Sequence, residues 1–219
     1  YKEVFSNLEK VVIPEYGEFE SYANRDSLHY QKKYNLNLAT TIVRGTLRKV
    51  GFAKAWDVFV QLGMTSDQSN ISLITRDKFY DYLKKINNPD ITKKMDYLNI
   101  FSEANKSLKY NTPCDYLTQI LTKKWALDKD DKDMIVMQHK FQYSFEGKDR
   151  DLKLSMVVKG DDSMDTAMAK TVGLPVFFAC KLLLEEKISL KGVRIPIYSE
   201  IYKPILKALS SEGIHFIES

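Results

Sequence analysis

Between Thr41 and Arg48 the side chains alternate, with Val43, Gly45 and Leu47 on one side and Ile42, Arg44, Thr46 and Arg48 on the other, the period of a strand. The period then changes. After Gly51 the apolar positions Phe52, Ala55, Trp56, Phe59, Val60 and Gly63 recur at three and four, which predicts an amphipathic helix directly behind that strand. Upstream, Phe19 to Tyr22 reads as a short extended segment leading into Asn24-Arg25-Asp26-Ser27, where Asp26 or Ser27 could cap a short helix towards Tyr34. Thr75 opens a helix to about Ile86, stopped by Asn87-Asn88-Pro89, and Thr112-Pro113 with Asp115 opens another to about Trp125. Residues 64–112, rich in Lys, Asn, Asp and Ser, read as a peripheral helical excursion without internal repeat. Asp133 to Phe145 and Leu152 to Lys159 are β-rich runs around Glu146-Gly147-Lys148-Asp149, a hairpin composition. Ser163 is placed to cap a largely buried helix built on Met164, Ala167, Met168, Thr171, Val172, Phe177, Phe178, Leu182 and Leu183, with a disruption near Pro175. Ser199 begins a last helix with Ile201, Ile205, Leu206 and Leu209 on one side, ended by Gly213 before a strand from Ile214 to Ile217.

A chain of 219 residues, 44% of them hydrophobic, carries enough apolar surface to fold as one domain or a compact pair. Its net charge of +4 comes from interspersed signs, which makes a solvated surface and argues against a nucleic-acid stripe. The longest apolar stretch, Val172 to Leu184, is interrupted by Gly173, Pro175 and Lys181 and falls short of the roughly 20 residues of a span, so no membrane partner is expected. No charged leader followed by an apolar run opens the chain, and Cys114 and Cys180 are its only cysteines; both features point to an intracellular fragment or processed piece.

Several chemistries are excluded by spacing. No two of the nine glycines are separated by a single residue, so a G-x-G-x-x-G cradle for a dinucleotide cannot form, and the P-loop pattern fails likewise. His29, His139, His215 and the two cysteines lack metal-ligand spacings, so no metal is expected. There is no G-x-S-x-G elbow, and no catalytic residue can be assigned. His139 lies within a strand-like run and reads as structural, Asp161-Asp162 as a capping pair, and Cys114 takes no role.

Five blocks together resemble the C-terminal part of the saccharopine dehydrogenase family, the glutamate-forming type also found in bifunctional aminoadipic semialdehyde synthase. They are Tyr22-Ala-Asn-Arg-Asp-Ser27, Arg44-Gly-Thr-Leu-Arg48, Asp131-Lys-Asp-Met-Ile-Val-Met-Gln-His139, Ala167-Met-Ala-Lys-Thr-Val-Gly-Leu-Pro175 and Glu200-Ile-Tyr-Lys-Pro, in the family's order. The resemblance implies an α+β fold, a mixed and largely antiparallel sheet flanked by helices, of the homoserine-dehydrogenase-like or GAPDH-like C-terminal kind. It implies that residues 1–191 bind saccharopine and dimerise, with the excursion at about 64–126, and that 192–219 form a helix and strand that complete a cofactor domain. NAD or NADP would be held by the Rossmann half of the full-length enzyme and not by this chain alone, which would be inactive by itself. The implied partners are saccharopine, that Rossmann domain and a second copy in a homodimer. The implied setting is the cytoplasm, or the mitochondrial matrix for a bifunctional enzyme.

By motif, the family's saccharopine contacts fall on Arg25, Thr46, Leu47 and Arg48, with Arg44 as a secondary candidate. The ligand's chemistry agrees. Saccharopine presents three carboxylates, and a guanidinium offers a planar fork of donors that matches a carboxylate two by two. Three of only six arginines lie within residues 25–48. Spacing alone allows a plainer reading, in which Arg44 and Arg48 decorate a solvated strand face and Arg25 pairs with Asp26. A reading from another class makes the chain a non-enzymatic interaction module that keeps the fold.

Overall fold

The computed structural model describes residues 3–218, which fall into two units divided between Ala126 and Leu127. Each combines helices with an antiparallel three-stranded sheet, the expected α+β class.

In the first unit, β1 (Glu9–Ile13), β2 (Gly17–Ala23) and β3 (Gly45–Lys49) pair in that order. β3 is shorter than the alternation from Thr41 predicts, because pairing with β2 begins only at the Ala23–Gly45 rung. Short helix α1 (Tyr30–Lys33) lies between β2 and β3 without a side-chain cap. The residues expected to cap it work elsewhere: Asp26 Oδ1 accepts from Leu28 N at 2.9 Å, and the buried Ser27 donates its hydroxyl to Ile42 O at 3.2 Å.

Helix α2 (Phe52–Gln61) follows β3 as predicted, and α3 (Arg76–Ile86) carries its Thr75 cap. The Asn87-Asn88-Pro89 stop is also a start. Asn87 ends α3 in the left-handed region, and Asn88 caps α4 (Pro89–Leu98) by accepting from Asp90 N and Ile91 N at 3.1 and 3.2 Å. Helix α5 (Pro113–Lys124) has the expected Thr112 cap. The segment read as peripheral instead supplies much of this unit's core: Met64, Phe79, Leu83, Met95 and Ile100 pack with Val58 and Phe59 of α2 and Leu117 and Ile120 of α5. Its polar composition belongs to the outer helix faces and conceals an apolar stripe on each.

In the second unit, β4 (Met134–Phe145) and β5 (Lys148–Lys159) make a hairpin closed by Glu146 and Gly147, both at positive φ as a two-residue turn requires. β6 is only Ile217–Glu218, because the preceding Ile214 and Phe216 join the core instead of extending the strand. Helices α6 (Ala167–Leu184) and α7 (Ser199–Ser211) cover the base of the hairpin. α6 departs from expectation in three ways. It starts at Ala167 because Asp162, Met164 and Asp165 form a turn of their own, while Thr166 and the Asp133 carboxylate take the helix's first amides. It continues across Pro175, one missing main-chain bond being outweighed by the packing of Leu174, Phe178 and Leu182 on either side. It is not a buried helix: Val172, Val176, Phe177, Leu183 and Leu184 are exposed, because β4, β5 and α7 cover one face of a helix that is apolar all round. At 18 residues, α6 is also long and apolar enough to cross a bilayer by length and composition, since it begins before the stretch counted from Val172.

Candidate functional site

The two arginine-bearing blocks near the N-terminus, with Arg25 and Arg44 19 residues apart in sequence, are adjacent in space. Antiparallel pairing sets Glu20 opposite Arg48, Ser21 opposite Leu47 and Tyr22 opposite Thr46. The ladder then gains one more bond, Asn24 N to Arg44 O at 2.8 Å. With the Asn24 amide donating to Thr46 Oγ1 at 2.7 Å and Ser27 holding Ile42 O, these contacts bind residues 24–27 to 42–46. The strands approach closely at this end of the sheet: a Cβ at position 45 would run into the Ser21 hydroxyl, which would have to turn aside, and would crowd Tyr22 O at 3.3 Å.

Arg25 stands at the turn out of β2 with φ of 64°, a left-handed conformation uncommon outside glycine and worth noting where it occurs near candidate ligand contacts. Asp26 does not pair with it; its carboxylate serves the Leu28 amide. Among the described residues, Arg25, Arg44 and Arg48 make no ion pair and all three are exposed, so their charge is available to an external anion. Thr46 and Arg48 share the β3 face that carries Glu20 and Tyr22 of β2, while Leu47 lies on the other. Arg44 and Arg48 are four residues apart along β3 and its approach, roughly 13 Å between α-carbons at about 3.3 Å per residue, and Arg25 stands just past the Asn24–Arg44 bond at the Arg44 end. The arginines follow a line along the strand pair.

The alternation of an antiparallel ladder decides where the backbone points. Asn24–Arg44 is a hydrogen-bonded pair, so Tyr22–Thr46 and Glu20–Arg48 are also, and Leu47 between them turns its N–H and C=O away from β2. Its carbonyl accepts from Arg48 Nη1 at 2.9 Å; its amide faces the outer edge of β3, the last strand of the described sheet. Arg48 also holds its guanidinium 5.4 Å from the centre of the Phe52 ring, which limits its wandering.

Glu20 is the residue that sequence reading passed over. Only 8% exposed, it turns its carboxylate onto the N-terminus of α2, accepting from Gly51 N at 3.2 Å and Ala53 N at 2.5 Å. Its charge answers the partial positive charge of the helix end and locks β2, β3 and α2 together. A signal was present: α2 opens on Gly51-Phe52 with no Ser, Thr, Asp or Asn to cap it, so an acceptor had to come from another element.

The other residues considered for chemistry lie in or near structural contacts. His139 stacks beside Phe141 and Phe216, with centroids 6.2 and 5.2 Å away, and burial against them pushes its pKa below the usual 6.5. Asp161 pairs with Lys170 at 2.6 Å, and the amides of Asp165 and Met164 hold the Asp162 carboxyl below its ordinary range. Among the described residues no three His, Cys, Asp or Glu side chains gather as metal ligands.

The family model of the saccharopine dehydrogenase C-terminal domain matches residues 1–214. The mouse mitochondrial alpha-aminoadipic semialdehyde synthase is 33% identical over 225 residues, which cover 90% of this chain and 24% of that protein. The Saccharomyces cerevisiae NADP-dependent, glutamate-forming saccharopine dehydrogenase is 30% identical over 234 residues, 94% of this chain and 52% of that protein. The solved apo structure of a histidine-tagged saccharopine dehydrogenase from S. cerevisiae superposes with a TM-score of 0.84 at 26% identity, covering 99% of this chain and 54% of that one. The chain thus spans about half the length of these dehydrogenases and about a quarter of the synthase.

Proposed function

The chain belongs to the saccharopine dehydrogenase C-terminal domain family, and on that premise we propose that it is the substrate-binding part of an oxidoreductase that interconverts saccharopine with glutamate and aminoadipate semialdehyde in lysine metabolism. Arg25 and Arg48 would hold carboxylates at separated positions of the ligand, with Arg44 beside Arg25 as a supplementary cation. The single observation that carries this reading is the tie between the two motif blocks, which sets unpaired arginines at both ends of a short strand pair.

Hydrogen-bond polarity extends the reading to Thr46 and Leu47. Because the Asn24 amide donates to Thr46 Oγ1, the Thr46 hydroxyl proton is free to donate to a ligand oxygen. The outward amide of Leu47 supplies a second neutral donor next to the Arg48 fork. Guanidiniums on the remote carboxylates and these neutral donors would together fix the orientation of the ligand's central C–H, which is how binding far from the reacting bond contributes to rate.

NAD or NADP supplies the hydride acceptor in such an enzyme, and this chain's residues do not fit it. Two turns among the described residues lead from a strand through a glycine into a helix, and each already gives helix-opening amides to a carboxylate of the chain: Gly51 N and Ala53 N of β3–Gly51–α2 to Glu20, and Ala167 N and Met168 N after β5–Gly160 to Asp133. A nucleotide-binding half would therefore hold the cofactor, with residues 192–219 completing that half and residues 1–191 keeping the substrate and dimer contacts. The setting would be the cytosol, or the mitochondrial matrix for a bifunctional synthase.

Calorimetric titration of saccharopine into the chain tests the proposal. Arg48→Ala is expected to weaken binding about tenfold or more, the equivalent of about 1.4 kcal/mol, and Lys123→Ala on α5 to leave it unchanged. Equal effects of the two substitutions would overturn the clamp.

A further inference from the structure

The first unit holds a cavity of about 530 Å³ between the end of β3, α2, α4 and the residue that follows α5, outside the arginine line. That volume lies within the range of small-molecule sites. Its walls are aromatic. Phe52 stacks on Trp56 at 5.5 Å and 14°, Trp125 stands 6.0 Å from Trp56, and Tyr97 completes the lining. Trp125 and Tyr97 are 51% and 61% exposed, so much of their ring area stays open even though Trp125 meets Trp56 and Lys124 lies over Tyr97.

The rim is cationic. Lys49, Lys93 and Lys94 line it against one acid, Asp90, whose charge Lys94 meets at 2.6 Å. Lys49 donates to a neutral acceptor, Tyr16 O at 3.0 Å, with its ammonium 4.3 Å from the centre of the Phe19 ring, and Lys93 makes no side-chain hydrogen bond or ion pair among the described residues. Two ammonium groups therefore remain beside a hollow walled by ring faces. Ring faces take a flat π system, and the surplus positive charge takes an anion attached to it.

We infer that this cavity is a second ligand site, which binds a small planar aromatic molecule carrying a phosphate or carboxylate. The ring packs against Phe52, Trp56 and Trp125, and the anion meets Lys93, with Lys49 adding positive charge at the rim. The inference stands apart from the saccharopine reading, since none of its contacts is one of the proposed saccharopine residues. A ligand here would nonetheless lie against Lys49 and Phe52, next to Arg48 in sequence and in space.

Trp56 and Trp125 are the only tryptophans in the chain, so indole emission reports this cavity directly. Adenosine monophosphate and para-hydroxybenzoate are titrated against the chain, each beside a neutral counterpart, adenosine and para-hydroxybenzamide, with excitation at the red edge of the tryptophan band. The expected result is saturable quenching by both anions, several-fold weaker for the neutral molecules. Lys93→Ala should reduce the anions to the level of their neutral counterparts and leave saccharopine binding and the melting temperature unchanged. Absence of saturable quenching by either anion overturns the inference, as does quenching that ignores both ligand charge and Lys93→Ala.

Discussion

At the scale of the residue, the site turns on which atom donates to which. Asn24 gives its amide hydrogen to Thr46 Oγ1 and so directs the threonine proton outward. Asn24→Asp keeps the shape but reverses the bond: a carboxylate only accepts, so it would draw the Thr46 proton inward and add a negative charge beside an anion site. Saccharopine affinity is expected to fall further in Asn24→Asp than in Asn24→Ala, although Ala removes more atoms. Calorimetry on the two variants checks the order, and a larger loss with Ala would make the contact structural only. Arg25, Thr46 and Arg48 are candidates that motif resemblance supplies, and the structure adds the contacts that tie their two blocks together. Glu20 was not legible, since nothing local shows that a strand carboxylate serves amides more than 30 residues on, 31 at Gly51 and 33 at Ala53.

At the scale of the element, helix boundaries followed an adjacent cap at Thr75 for α3 and Thr112 for α5. The start of α6 was misplaced at Ser163 although its cap is the adjacent Thr166, because the turn around Asp162 and the Asp133 carboxylate, 34 residues upstream of Ala167, share in setting the boundary and local pattern encodes neither. A second loss came from reading Asn87-Asn88-Pro89 as a stop, because the same residues satisfy a C-cap and an N-cap in succession. The hairpin makes a pH prediction. His139 faces Phe141 and Phe216, and its folded-state pKa lies below 6.5. As pH falls through about 6.5 the unfolded chain takes up the proton first, so stability is lost from there down to the lowered folded-state value and is fully present above it. Thermal unfolding followed on both sides of that window should show a fall in melting temperature towards acid, smaller in His139→Gln. An unchanged slope in the variant would clear His139 of the effect.

At the scale of the whole molecule, the second unit displays more apolar surface than it covers. The hairpin face that buries Met156 and Val158 at its base runs on to Phe141, Tyr143 and Phe145, 43%, 48% and 58% exposed, and the outer side of α6 is bare as well. Periodicity read the α6 residues as largely buried and the hairpin only as two β-rich runs, because a repeat of apolar positions does not say which face is covered. We propose this surface as the seat of the expected homodimer. Sedimentation should show concentration-dependent association that Phe141→Ser with Phe145→Ser weakens; a strictly monomeric chain at every concentration would refute it.

The central claim concerns one strand pair, so the most direct measurement watches its atoms. In an isotope-labelled chain, saccharopine should shift the backbone amide signal of Leu47 and the Nε signals of Arg25 and Arg48 along one common saturation curve, with Lys123 unmoved. Saturable shifts confined to other residues, or none in this group, would contradict the account.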